Sequence, residues 1–286
     1  LFDIASLQEQ YNTVKARGLQ SIGTVGKLYH NAKGEIKFTI DGDLKQITKF
    51  PHRKDDDKTG AVVIYEAPYK NEKQQVPINM YVLCHDPYGQ NQSADSTSLG
   101  AAYVVKRPNN LSQPDDIIVA SYVGRPKTQD DYNRNLFLLA DYYGCKIGFE
   151  NDRGEVIAYA KRYRKLHKLQ EEFEMLDKRE LRSKTVKRQY GMHMTEARKR
   201  QGEIYIRDWL NTVRRTDENG NKLLNLHKIY DLAFLTELMK FNHHGNFDRV
   251  MAFMIAMYHT RELYNVEVKD VLEDRATDKW FDKNYY

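Results

Sequence analysis

Three acidic residues stand where a folded chain does not place charge without a reason. Asp86 closes an apolar run in YVLCHDPYGQNQSADSTSLGAAYVV, Glu150 closes another after CKIGF, and Asp248 opens a strongly apolar helical stretch in HHGNFDRVMAFMIAMY. Burying a carboxylate costs free energy unless something pairs with it. Converging carboxylates also repel one another, and a cation relieves both costs. Hard oxygen donors without His or Cys beside them suit magnesium or manganese. Two such ions roughly 3.5–4 Å apart can activate a water and stabilise the leaving oxygen when a phosphodiester is cut. Asp95, in the polar loop beyond Asp86, is a fourth candidate. Each acid also has a plainer role open to it. Asp86 precedes Pro87 and Gly89 and can form a turn. Glu150 can begin the next helix, Asp248 sits where a helix dipole favours negative charge, and a loop aspartate such as Asp95 can simply be solvated.

For the acids to meet, the elements that carry them must be neighbours. INMYVLCHD, SLGAAYVVKR and DDIIVASYVGR read as three strands joined by short loops, an antiparallel meander. TQDDYNRNLFLLADYYG reads as an amphipathic helix, with Thr128 as its N-cap, Leu136, Leu139, Ala140 and Tyr143 on its apolar face, and Gly144 ending it. CKIGFEN is then a fourth strand, parallel to one of the others because a helix precedes it. If the first and fourth strands are neighbours, Asp86 and Glu150 emerge side by side. Upstream, residues 1–20 predict a short helix with Leu7, Tyr11 and Val14 at helical spacing, and 21–77 predict short strands, among them EIKFTI and AVVIYEAPY. Downstream, 152–176 reads as helical, in one piece or two. Further helices are expected over EIYIRDWLNTV, LHKIYDLAFLTELMKF and NFDRVMAFMIAMYHTRELY, and the polar stretch from Asn265 as a loosely held tail. The order β-β-β-α-β-α, with helices after it, is that of an α/β layered sheet with an antiparallel side.

Composition narrows the function classes. No apolar run in the 286 residues is long enough to span a bilayer, and mean hydropathy is −0.75. Cys84 and Cys145 form no CxxC pair, so the expectation is two small buried hydrophobes rather than structural zinc. GLQSIGTVGKL fails as a phosphate loop because Leu28 follows Gly26-Lys27 where Ser or Thr is needed. The net charge of +5 is uneven: residues 161–200 hold fourteen Lys/Arg against six Asp/Glu, which suits a polyanion-facing surface. A start on Leu1 without an initiating Met predicts a piece of something longer.

The sequence resembles the C-terminal nuclease domain of tailed-phage large terminase subunits, a family with a ribonuclease H-like fold. YVLCHDPYGQNQSADSTSLGAAYVV is similar to the family's strand–Asp–Pro–loop–Asp–strand opening, IGFENDRGEVIAYAKRY to its second acidic strand and following helix, and HHGNFDRVMAFMIAMY to its late motif His-Asp-Asp-Arg-Val-Asp-Ala at a helix start. Asp86 and Glu150 match the first two metal-binding acids. Asp248 matches the second Asp of the late motif, with Arg249, Val250 and Ala252 in step, and Asp95 matches an auxiliary loop acid. The pattern is broken at Asn246, Phe247 and Met251, which stand where His, Asp and Asp would be.

The resemblance implies an α/β, ribonuclease H-like mixed sheet, three antiparallel strands plus parallel strands, flanked by helices. It divides the chain into a linker and strand-rich extension over 1–77, leading from an upstream ATPase domain of the same polypeptide, a nuclease domain over 78–264, and a tail over 265–286. It implies an endonuclease that cuts concatemeric double-stranded DNA with two Mg²⁺ or Mn²⁺ ions on Asp86, Glu150 and Asp248. Lys161, Arg162, Arg164, Lys165, Lys187 and Arg188 would hold phosphates. The portal protein and the small terminase subunit are the implied partners, and the host cytoplasm, at the procapsid portal, is the implied place. A second reading, a nonenzymatic domain that docks to DNA or portal, is favoured by Phe247 and Met251.

Overall fold

The apolar runs on either side of the Asp86 loop pair with each other. In the computed structural model, which describes residues 1–264 apart from 19–22, 54, 89–97, 108–116, 152–154, 174–189 and 243, β4 (Tyr81–Asp86) and β5 (Gly100–Lys106) run antiparallel with Asp86 opposite Ala101. β6 (Ile117–Gly124) continues the meander on β5. The chain then crosses through α2 (Gln129–Tyr142) and returns as β7 (Ile147–Phe149), parallel to β4. Thr128 caps α2 by accepting the Asp131 amide, and Gly144, in the left-handed region at φ 62°, turns the chain after it. The expected antiparallel trio with a parallel fourth strand beside its first member is therefore present.

The upstream strands extend this same sheet across the expected boundary at residue 77. β1 (Thr24–His30), β2 (Ile36–Ile40) and β3 (Ala61–Ile64) are antiparallel neighbours, and β3 pairs with β6. The full order is β2-β1-β3-β6-β5-β4-β7. The sheet is mixed, with one parallel pair at the β7 end among the described strands, and its β6-β5-β4-β7 portion has the three antiparallel strands and parallel fourth that were expected.

Both faces of the sheet are covered, which is why β4 and β5 read as unbroken apolar runs. Val82 and Cys84 point to one face and Tyr81 and Leu83 to the other, the alternation a strand requires. On the first face lie α1 (Ile4–Arg17), α4 (Glu196–Leu210), α5 (Leu232–Lys240) and α6 (248–264), contributing Leu7, Trp209, Phe234 and Phe253 to one core. On the second lie α2 and α3 (Glu155–Arg162), contributing Phe137, Leu139, Val156 and Ala160 to the other.

Three expected elements are drawn differently. The helix expected over 152–176 ends at Arg162: Arg164 takes a left-handed φ of 56°, the Lys165 amide closes back on the Ala160 carbonyl, and a 3₁₀ turn (Leu166–Lys168) follows. Leu169 then bridges Ile147 and Met192 bridges Glu150, which covers the outer edge of β7. The helix expected to run to Val213 stops at Leu210, and β8 (Val213–Thr216) pairs with β9 (Lys222–Leu224) around a turn in which Asp217 accepts the amides of Asn219 and Asn221. The helix expected over 226–241 is a 3₁₀ turn (Asn225–Lys228) followed by α5, because Asp231 caps the amides of Ala233 and Phe234 and starts a new helix.

Candidate active site

Asp86 and Glu150 are brought side by side by the parallel pairing of their strands. The Glu150 amide donates to the His85 carbonyl at 3.3 Å, which continues the β4–β7 ladder by one step, and the Asp86 and Glu150 side chains share a hydrogen bond. Asp248 arrives from the other direction, in the first turn of α6. Its carboxylate accepts the Leu99 amide at 2.8 Å, the Ser98 hydroxyl at 3.3 Å and the Asn246 side-chain amide at 3.3 Å. Ser98 and Leu99 lead directly into β5, so the strand opposite Asp86 also anchors Asp248.

The electrostatics of the two aspartates differ in kind. Asp86 and Asp248 are both buried, 8% and 7% exposed. Burial comes first in holding the Asp86 carboxyl well above its usual range, followed by the charges of Asp248 and Glu150 and the hydrogen bond with Glu150. Asp248 is also pushed up by burial, to about 6, but the Leu99 amide, Arg249, Ser98 and Asn246 restrain the rise. Every leading influence on Asp86 works against its charge. His85, beside it, offers no help: burial pushes its pKa down to about 3, and its ring lies within 3.3 Å of the Ala101 carbonyl and of the Tyr132 hydroxyl. No lysine or arginine among the described residues makes an ion pair with Asp86 or Asp248.

Among the described residues, no group of three or more His, Cys, Asp and Glu side chains forms a ready-made metal cage. What the site has is donor chemistry: the Asp86 and Glu150 carboxyl groups meet at the ends of their paired strands, and Asp248 adds its charge to theirs. A hard divalent cation would offset the mutual repulsion of these carboxylates and the cost of burying Asp86 and Asp248. The residues present therefore fit such a cation.

The departures from the late motif have structural uses. Asn246 donates to Asp248, and Phe247 is buried between Phe50 and Phe241, with ring centroids 5.5 and 5.2 Å away. Met251 is half-buried against the same core. Asp95, Lys187 and Arg188 lie outside the described residues. Of the other predicted phosphate-binding residues, Arg162 pairs with Asp130 and Lys165 with Asp141 at 3.4 Å, whereas Lys161 and Arg164 are exposed. A cleft of about 450 Å³ between α1 and the β8–β9 hairpin, lined by Arg17, Arg215, Lys222 and Tyr230 among others, includes none of the three acids. The sequence reading missed Glu237 and gave Arg249 no role beyond its place in the motif; their carboxylate and guanidinium meet at 2.8 Å, each 1% exposed, directly behind Asp248. The available signal was an arginine set in an otherwise apolar run, which needs a buried acid as partner.

No protein-family model matches the chain, and no curated protein does. Similar solved structures include three of the large terminase nuclease from the thermophilic phage G20c. The one with bound zinc is 13% identical, with a TM-score of 0.41 over 70% of this chain and 88% of that one. The one with bound magnesium is 12% identical, with a TM-score of 0.36 over 71% and 89%. A third is 12% identical, with a TM-score of 0.32 over 62% and 88%.

Proposed function

We propose that this chain is a divalent-metal-dependent DNA endonuclease, the nuclease part of a viral genome-packaging terminase that cuts concatemeric double-stranded DNA. The observation that carries the reading is Asp86, a buried carboxylate at a strand end that shares a hydrogen bond with Glu150 and feels the charge of Asp248, with every leading influence opposing its ionisation. Such a residue is costly to a fold that has no use for a cation there.

In this reading Asp86, Glu150 and Asp248 would together hold magnesium or manganese ions. Bound there, the ions would make a nucleophile of water near neutral pH and offset the charge that builds on the leaving oxygen. The chain's own part is placement. The Leu99 and Ser98 donors hold the Asp248 carboxylate from one side, and the β4–β7 pairing fixes Glu150 against Asp86. Asp95 belongs to the proposal as an auxiliary acid, and the exposed basic residues of 161–200, Lys161 and Arg164 among them, as contacts to phosphate. Such contacts recognise backbone rather than sequence, so choice of the cut site falls to partners, the small terminase subunit and the portal.

Supercoiled plasmid tests the reading. The chain should nick it with Mg²⁺ or Mn²⁺ and not with EDTA, and folded Asp86→Asn protein should not nick it at all. Folded parent protein that binds the plasmid without a cation and never cuts it would instead make this a docking domain.

A further inference from the structure

Helix α6, which carries Asp248 in its first turn, begins without a cap from its own segment. Phe247 immediately before it is apolar and buried, and the Asn246 side chain is engaged with the Asp248 carboxylate. The first amides of a helix nevertheless need acceptors. A carboxylate from another helix supplies one. Glu237 of α5 accepts the Arg249 amide at 2.9 Å and the Val250 amide at 3.3 Å through Oε2, while its Oε1 accepts from Arg249 Nη1 at 2.8 Å. Arg249 in turn donates Nη2 to the Ile47 carbonyl at 3.0 Å and lies 3.5 Å from the Asp231 carboxylate. Asp231 caps α5 and accepts the Tyr103 hydroxyl of β5 at 2.7 Å. One buried charge pair thus ties α5, α6, β5 and the segment around Ile47 together, next to the residue read above as a metal ligand.

A buried ion pair is a poor means of adding stability, since apolar residues of the same volume usually do as well. Its geometry here is more telling than its energy. Oε2 of Glu237 points at the two amides that follow Asp248, so it sets where α6 begins and how its first turn is oriented. We infer that Glu237 is a positioning residue for the cation site, capping α6 from α5 so that the Asp248 carboxylate is presented in one orientation. The inference rests on the reading of Asp248 as a ligand.

Titration of the whole chain with Mn²⁺ alone, followed by calorimetry, tests it apart from catalysis. Glu237→Gln loses the charge and weakens the clamp, and Mn²⁺ affinity should fall by about 10–100-fold, the usual effect of removing an outer partner of a metal ligand. DNA affinity measured without a cation should not change. Because that variant takes from the buried Arg249 the nearer of its two carboxylate partners and is at risk of unfolding, the double variant Glu237→Leu/Arg249→Met is the second arm. It removes both members of the charge pair and leaves α6 uncapped, with Asp231 still held by the Tyr103 hydroxyl and the Ala233 and Phe234 amides, and the folded protein should show the same loss. A folded variant of either kind that binds Mn²⁺ as tightly as the parent overturns the inference. Asp248→Asn separates the two levels: if it too binds as the parent does, the metal-site reading falls and this inference with it. If it alone loses Mn²⁺, only the role of Glu237 falls.

Discussion

A carboxylate whose ionisation is opposed on every side leaves a signature in the pH dependence of stability. Asp86 and Asp248 have folded pKa values above their unfolded ones, with Asp248 at about 6, so the folded state binds more protons than the unfolded state above about pH 4. Their contribution to stability is therefore present in acid and is lost as pH rises through the folded values. His85 and His259 work in the opposite sense: burial depresses both to about 3, so they cost stability as pH falls from about 6.5 towards 3. The carboxylate part is isolated by the difference between the parent and Asp86→Asn. In thermal melts without divalent cations, Asp86→Asn should be the more stable protein, by a margin that widens as pH rises above about 4. Adding Mg²⁺ or Mn²⁺ should raise the parent's melting temperature more at the higher pH and leave the variant's unchanged, because a ligand stabilises only the state that binds it. A margin that narrows with pH would mean that Asp86 is not the strained group. The three acids were legible in the sequence because each interrupts or bounds an apolar run. Glu237 was not, because in an amphipathic helix an inward glutamate looks like its outward neighbours until the facing arginine is known.

At the scale of elements, the site depends on how closely α2 approaches the start of β5. Gly100, the first residue of β5, follows the Ser98–Leu99 pair that holds Asp248, and a Cβ added there would meet the Tyr132 ring at 2.5 Å. The Tyr132 ring is stacked on Tyr122 at 4.6 Å and reaches His85 through its hydroxyl, so it has nowhere to go. Gly100→Ala should cost about 1–3 kcal/mol in denaturant melts, the usual penalty for overpacking. Combined with Tyr132→Leu it should cost less than the sum of the two single changes, since the second makes room for the first. Full additivity would show that the contact is slack. The β4–β6 meander, α2 and the parallel return of β7 were legible because each is a local pattern with clear ends, as Thr128 and Gly144 show for α2. The pairing of β3 with β6 was not, because nothing local in AVVI names a partner more than fifty residues away. The β8–β9 hairpin carried its own signal in Asn219-Gly220, with Gly220 at φ 82°, but the apolar spacing of the preceding helix ran past it.

Across the whole molecule, the proposed nuclease, which would contact backbone rather than bases, must present its charge within reach of the carboxylates. The amino end of α3 lies near the end of β4: Gln129 donates to both the Tyr88 carbonyl, two residues beyond Asp86, and the Glu155 carboxylate. From Glu155 the eight residues of α3 rise about 12 Å to Arg162, a span of three or four nucleotides along one strand. Lys161 and Arg164 are exposed there, and no ion pair involves either among the described residues. Lys165 and Lys168 are turned to Asp141 at 3.4 and 2.6 Å, near the far end of α2, about 16 Å along the helix from Asp130. A cation already paired and remote from the cut adds little to phosphate binding. DNA affinity measured against salt should therefore fall with a steep log–log slope in the parent. Lys161→Gln and Arg164→Gln should each reduce the magnitude of that slope by about 1, whatever the DNA sequence, while Lys165→Gln leaves it in place. The same slope for all three variants would move the DNA track off α3, to another basic part of the surface, while leaving the carboxylate site where it is.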